Sequence, residues 1–284
     1  MTVSLIISTY NWPRALYLCL DSVMRQSRLP DEILIADDGS GLDTHDVVRH
    51  FERISPVPVR HIWHEDRGFR VAAIRNKAIA ASRCDYLIQI DGDLILQRNF
   101  IQDHLAFARR GCYVAGSRGM LTRELTQQVL SGVITSLSPL TRGVYCSNNV
   151  MRIPVIAAFY RMFSPEYNPR SCNMALWRED ALRVNGYDET FEGWGYEDTE
   201  FGLRLKNSGV HQRRIKFRAV AFHLHHEKVS RERCLTNERY YLESIREHRT
   251  RCKRGIDQYI GLLSPENRRL LHPAPPAGTE RRLH

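Results

Sequence analysis

Tyr86-Leu87-Ile88-Gln89-Ile90-Asp91-Gly92-Asp93 is a short, almost wholly apolar run that stops abruptly on two carboxylates separated by glycine. Near-continuous rather than alternating hydrophobicity marks a strand covered on both faces, as in a parallel sheet. Working outward, the same grammar repeats. Strands are expected at residues 3–8, 32–36, 59–63 and 86–90, and helical patterns at 14–26, 42–54 and 71–81 fall between them. This βαβ rhythm predicts an α/β domain with a mostly parallel, Rossmann-like sheet. Ligands of such sheets bind beyond the carboxyl ends of the strands. The residues stopping each strand are therefore the first functional candidates: Thr9-Tyr10-Asn11, Asp37-Asp38, His64-Glu65-Asp66 and Asp91-Gly92-Asp93.

The second half is less uniform. Residues 117–170, with prolines at 139, 154, 165 and 169, read as a mobile insertion over the active face. A strand at 171–177, a helix, the segment 193–202 and a strand at 218–222 follow. The division predicted is one domain over 1–229, comprising a nucleotide-binding part (1–116), the insertion (117–170) and an acceptor part (171–229). A basic helical extension over 230–284 completes it, helical to about residue 263 and frayed at its last dozen residues.

Composition narrows the partners. The 284 residues carry 41 Lys and Arg against 32 Asp and Glu, a net charge of +9 that favours an acidic partner. Seven cysteines, an odd number without CxxC spacing, fit a reducing compartment rather than a disulfide framework. The opening residues lack a basic lead and read as a strand, not a signal peptide, so cytoplasmic residence is expected. The arginines of the extension can rest on anionic lipid, giving peripheral membrane contact, or form a solvated face laced with glutamates.

Four clusters can carry chemistry. Asp91 and Asp93, spaced by Gly92, suit a hard divalent cation such as Mn²⁺ or Mg²⁺ bridging to phosphates. Gly193-Trp194-Gly195-Tyr196-Glu197-Asp198-Thr199 pairs an indole that can stack on a sugar with a carboxylate that can act as a base, although Asp198 or Thr199 can equally cap the following helix. His223 and His225, on one side of an extended segment, can each supply an imidazole to the cation of Asp93, and His226 reads as a surface residue. Arg70 and Arg75 can face phosphate or Asp91, or pair with Glu65 and Asp66.

Taken in order, Ser-Thr-Tyr-Asn at 8–11, Asp-Asp-Gly-Ser at 37–40, Glu-Asp-Arg-Gly-Phe-Arg at 65–70, Arg-Asn at 75–76, Asp-Gly-Asp at 91–93 and Gly-Trp-Gly-Tyr-Glu-Asp at 193–198 resemble inverting family 2 glycosyltransferases of the GT-A fold. The last segment also resembles that of β-1,4-galactosyltransferases and bacterial chondroitin polymerases. The resemblance covers about residues 3–227, and the insertion carries no matching motif.

The resemblance implies a metal-dependent, inverting transferase that moves a hexose or N-acetylhexosamine from a UDP-sugar to a saccharide or lipid-linked saccharide hydroxyl, as in lipopolysaccharide or surface-polysaccharide assembly. It implies donor contacts from Thr9, Tyr10, Asp38, Glu65, Arg70, Arg75 and Asp91. Asp198 would be the base, Glu197 and Trp194 would hold the acceptor, and Asp91, Asp93 and His223 (or His225) would bind metal. Three other readings are weighed against it. A metal-dependent nucleotidyltransferase or phosphohydrolase would use the same aspartates, a silent sugar-nucleotide binder would have no use for Asp198, and a basic nucleic-acid-binding protein leaves the acidic rim unexplained.

Overall fold

The computed structural model describes residues 1–157, 169–227 and 230–260. The expected frayed end, and the part of the insertion at 158–168, lie outside the described residues.

The four anticipated strands form as β1 (Val3–Thr9), β2 (Glu32–Asp37), β3 (Val59–Trp63) and β4 (Tyr86–Asp91), with α1 (Pro13–Met24), α2 (Leu42–Ile54) and α3 (Val71–Ala81) between them. β1 pairs in parallel with both β2 and β4, and β2 with β3. Later in the chain come β5 (Leu94–Leu96), α4 (Phe100–Phe107), β6 (Cys112–Ala115), β7 (Gly119–Leu121), α5 (Arg123–Leu130) and β8 (Val144–Tyr145). These are followed by β9 (Asn173–Trp177), α6 (Arg178–Arg183), α7 (Glu197–Asn207), β10 (His211–Arg214), β11 (Ala221–His223), α8 (Cys234–Arg246) and α9 (Asp257–Ile260). The main sheet runs β10-β6-β9-β4-β1-β2-β3, with β9 antiparallel to both neighbours. A smaller sheet, β5-β11-β7-β8, stands beside it.

Residue alternation along β1 and β2 divides the core. Leu5, Ile7, Ile33 and Ile35 pack under α1, α2 and α4. Ile6, Leu34 and Ala36 pack with α3 and with Phe201 and Leu205 of α7 on the other face. Helix termini follow local chemistry: Pro13 opens α1, where its missing N–H costs nothing, and Thr122 caps α5 by accepting from the Leu125 amide.

Two expectations change. The described part of the insertion is not one irregular loop. It contributes β7, α5 and β8, and Leu121, Leu125 and Val129 join Val220, Phe222 and Leu224 in a separate apolar cluster under the small sheet. The stretch expected as one helix from 230 is broken into α8 and α9, and residues 234–260 are packed into the domain. Ile256 is fully buried in the main core, and Asn237 donates to the carbonyls of Glu192 and Gly195 at 3.1 and 3.0 Å. Among the described residues no helix is long and apolar enough to cross a membrane.

Gly39 sits where β2 turns into the loop before α2. Its φ is +101°, and a Cβ there would lie 2.5 Å from the Asp66 Cα, a main-chain atom. Gly39→Ala is therefore expected to destabilise by about 2–4 kcal/mol, combining left-handed strain with overpacking. Urea unfolding would show this as a lowered midpoint at unchanged m, and an unshifted midpoint would refute it.

Candidate active site

The strand ends open into a cleft of about 850 Å³. Thr9, Tyr10, Asp38, Arg75, Asp91, Asp93, Trp194, Glu197, Asp198 and His223 all line it. Seven of these come from β1 and β2 with the residue that follows each, from α3, from β4 with the turn after it, and from β11. The loop before α7 supplies Trp194, and the first turn of α7 supplies Glu197 and Asp198.

Arg75 holds the centre together. Only 4% exposed, it donates Nε to Ser8 Oγ at 3.1 Å and an Nη to Asp91 Oδ1 at 3.1 Å, and its other Nη lies 3.5 Å from Glu197 Oε1. One guanidinium therefore ties the ends of β1 and β4 to the start of α7. Of the two pairings open in the sequence, Arg75 takes Asp91. Burial alone would weaken its charge, but Tyr187, Asp91 and Glu197 hold its pKa above the ordinary value.

On one side of Arg75 lies the carboxylate pair. Burial, then the neighbouring Asp198 charge, pushes Glu197 up to about 7 against the pull of Arg75. Burial also raises Asp198, with Arg75 opposing. The Asp198 Oδ2 accepts from the Ser171 amide at 3.3 Å. Neither Asp198 nor Thr199 is the N-cap of α7. That position is Tyr196, which adopts a left-handed φ of 70° and provides no side-chain cap. A non-glycine residue held there stores strain of the order of 1–3 kcal/mol, a feature that clusters at functional sites. Its hydroxyl donates to Glu238 at 3.1 Å and its ring stacks on Tyr241, so α8 holds the strained turn in place. Trp194, between Gly193 and Gly195, is 41% exposed at the mouth, with the Arg231 guanidinium 4.8 Å from its ring centroid.

On the other side is a cluster of Asp93, His223 and His226. The two Nε2 atoms lie 3.4 and 3.5 Å from Asp93 Oδ2. Burial first, and then Asp91, raises Asp93 to about 8. Burial, helped by Arg118, lowers His223 to about 4, leaving its imidazole neutral with a lone pair to give. Asp93 Oδ1 and His223 Nδ1 are buried without a hydrogen-bond partner. Two imidazoles around a carboxylate with an orphaned oxygen fit a divalent cation.

Three expectations are corrected by this geometry. His225 is not in the cluster: β11 ends at His223, so strand alternation no longer applies. The His225 amide donates to Thr126 Oγ1, and His226 swings beside Asp93 instead. Glu65 does not line the cleft, because the loop turns at Gly68 (φ +83°) and its exposed carboxylate pairs with Arg67 at 2.8 Å. Arg70 does not line it either. Its guanidinium donates to the Glu65 carbonyl, and its amide donates to Asp38 Oδ2 at 2.8 Å.

The other Asp38 oxygen meets His64 Nε2 at 2.6 Å, so Asp38 is fixed from two sides as a wall of the cleft. Sequence reasoning missed Arg118, Ser171, His226 and Arg231, which also line it. Only His226 carried a signal, its nearness to a histidine already chosen.

Comparison with known proteins bears on the family and the fold. The chain matches Glycosyl transferase family 2 over residues 4–166 and, over 153–227, a family described as the N-terminal domain of galactosyltransferase. Chondroitin synthase of Escherichia coli is 26% identical over 241 residues, covering 78% of this chain and 34% of that protein. The chain spans between 23% and 52% of the length of the curated relatives that it matches over most of its own length.

Among solved structures, S. aureus TarS 1-349 in complex with UDP superposes with a TM-score of 0.58 at 17% identity, covering 86% of this chain and 65% of that one. The mannosyltransferase PcManGT from Pyrobaculum calidifontis, in complex with GDP-Man and Mn²⁺, gives 0.56 at 17% identity, covering 96% and 70%. These likenesses show the GT-A fold. The family match extends over more than half of the chain, and the protein belongs to glycosyl transferase family 2.

Proposed function

We propose that the chain transfers a hexose or N-acetylhexosamine from a UDP-sugar to a saccharide hydroxyl in a single inverting displacement, in the assembly of a lipopolysaccharide or another surface polysaccharide. The observation that carries this reading is the division of one cleft by Arg75 into a cation-binding side (Asp93, His223, His226) and a base side (Glu197, Asp198). A phosphohydrolase or nucleotidyltransferase has a use for the first side and none for an indole beside a buried carboxylate pair. The UDP bound by the TarS structure and the polysaccharide made by chondroitin synthase support the donor and acceptor classes.

Thr9 and Asp38 form the wall against which the uridine lies, and each Asp38 oxygen keeps a lone pair for the base. Asp93, His223 and His226 would hold Mn²⁺ or Mg²⁺, and the imidazoles favour Mn²⁺. Bound there, the ion would supply positive charge to offset that of the departing diphosphate. Asp91, pinned by Arg75, borders the same space and faces the ribose or the cation. Trp194 stacks on the acceptor ring and Glu197 orients it. Asp198 takes the proton from the acceptor hydroxyl as its oxygen bonds to the anomeric carbon, and the bond from that carbon to the diphosphate oxygen breaks, leaving its electron pair on UDP.

Thermal unfolding with UDP-, GDP- and dTDP-sugars, each with and without Mn²⁺, tests the reading. UDP-sugars with Mn²⁺ are expected to raise Tm most. Saturation at 100 times Kd corresponds to about 2.7 kcal/mol. A response to GDP- or dTDP-sugars alone, or one indifferent to Mn²⁺, would overturn it.

A further inference from the structure

Next to Asp38, at the end of β2, lies a second group of metal-ligating side chains that the proposed transfer does not use. Asp37 ends β2, His45 lies in the first turns of α2, and His61 is on β3 in the neighbouring strand. One ligand atom from each lies within 4.8 Å of the others. We propose that Asp37, His45 and His61 form a separate site for a borderline transition-metal ion of the Zn²⁺ or Co²⁺ kind, clamping the start of α2 to the ends of β2 and β3.

The donor set is two imidazoles and one carboxylate, which suits such ions better than Mg²⁺ or Ca²⁺. Asp37 is fully buried and His61 is 9% exposed, while His45 is only partly covered. That leaves a solvent-facing position for entry and for a fourth, water ligand. Asp37 is aimed by a second partner, as metal ligands generally are. The Ser40 amide donates to Asp37 Oδ1 at 2.8 Å, leaving Oδ2 toward His61 Nε2, also at 2.8 Å. The His45 ring packs edge to face on Trp63 with centroids 5.7 Å apart, and Trp63 Nε1 donates to the Ser40 carbonyl at 3.1 Å. The two imidazoles meet edge to face with centroids 4.6 Å apart.

A tetrahedral ion with bonds of about 2.0–2.1 Å requires ligand atoms about 3.3 Å apart. Side-chain rotations would have to widen the 2.8 Å between Asp37 and His61 and draw His45 in from within 4.8 Å to reach that value. A hydrogen bond explains the contact between His61 and Asp37 on its own. It does not explain why a third ligand-bearing ring is turned onto the same point.

The test uses the full chain carrying Asp93→Asn, which lacks the carboxylate of the cleft cluster, stripped with chelator and titrated with Co²⁺. One equivalent is expected to produce visible ligand-field bands of a tetrahedral complex, which added Zn²⁺ discharges. Adding His45→Ala is expected to weaken Co²⁺ binding at least about 10-fold, and circular dichroism shows whether that variant remains folded. His61→Gln gives the same loss from the opposite strand. Tetrahedral bands absent from the Asp93→Asn protein, or undiminished by both histidine changes in folded protein, would overturn the site and leave the His61 to Asp37 contact as a hydrogen bond alone. The readout needs no nucleotide, so failure of the proposed sugar transfer would leave it standing.

Discussion

Asp198→Asn is expected to lower kcat for transfer by about 10²–10⁴-fold while leaving Mn²⁺-dependent UDP binding intact. The two effects separate because of where the contacts run. Asp198 touches the Ser171 amide and its own helix, whereas Arg75, which frames the nucleotide side, is anchored by Ser8, Asp91 and Glu197. Removing the Asp198 charge thus deletes the base without loosening the donor wall.

The pH profile adds a second signature. A base works deprotonated, and burial raises Asp198 above its ordinary value, so kcat/KM is lost as pH falls through that raised value and is complete above it. Glu197, pushed to about 7 in part by the Asp198 charge, titrates with it, so the acid limb belongs to the pair. It should lie above the ordinary carboxylate range in the parent enzyme. Turnover in Asp198→Asn close to the parent value would sink the assignment of the base.

How much of this was legible beforehand depended on the kind of signal. β1, β2 and β4 were readable because a parallel strand buried on both faces must be apolar throughout, and Leu5-Ile6-Ile7 or Ile33-Leu34-Ile35 can hardly be anything else. By contrast, β3 is an edge strand carrying Arg60 and His61 and was readable from its place in the βαβ rhythm. β9 is equally apolar, so its antiparallel direction is invisible in its composition and is set by the connections around it. β10, His211-Gln212-Arg213-Arg214, is an edge strand of four polar residues and offers no hydrophobic signal. β5, β7 and β8 have two or three residues each, too few for a period.

The site divided along the same line. Residues at the ends of legible strands, such as Asp38, Asp91 and Asp93, were found from position alone, and the ordered motifs added Glu197 and Asp198. Arg118 and Arg231 reach the cleft from segments whose course only the tertiary fold defines. Glu65 lies outside the cleft with its exposed carboxylate on Arg67, and His225 was set beside Asp93 by an alternation rule carried past the last residue of β11.

That last error gives the sharpest test of the cation side. If Asp93, His223 and His226 hold the ion, His226→Ala should raise the Mn²⁺ concentration needed for half-maximal transfer at least about 10-fold, and His225→Ala should leave it unchanged. The His225 main chain is tied to Thr126, and its ring interacts electrostatically with Glu124, away from Asp93.

Asp93→Asn should be more damaging than His226→Ala. It removes the only carboxylate of the triad and so the charge that attracts the ion. A loss of about 4 kcal/mol of leaving-group stabilisation corresponds to the order of 10³-fold in rate. Excess Mn²⁺ should restore His226→Ala, which keeps two of three ligands, and should fail to restore Asp198→Asn, whose defect lies on the other side of Arg75. Titrating transfer against Mn²⁺ in these four variants distinguishes the schemes directly. A deficit in His225→Ala matched by none in His226→Ala would return the third ligand to the position that strand alternation first suggested.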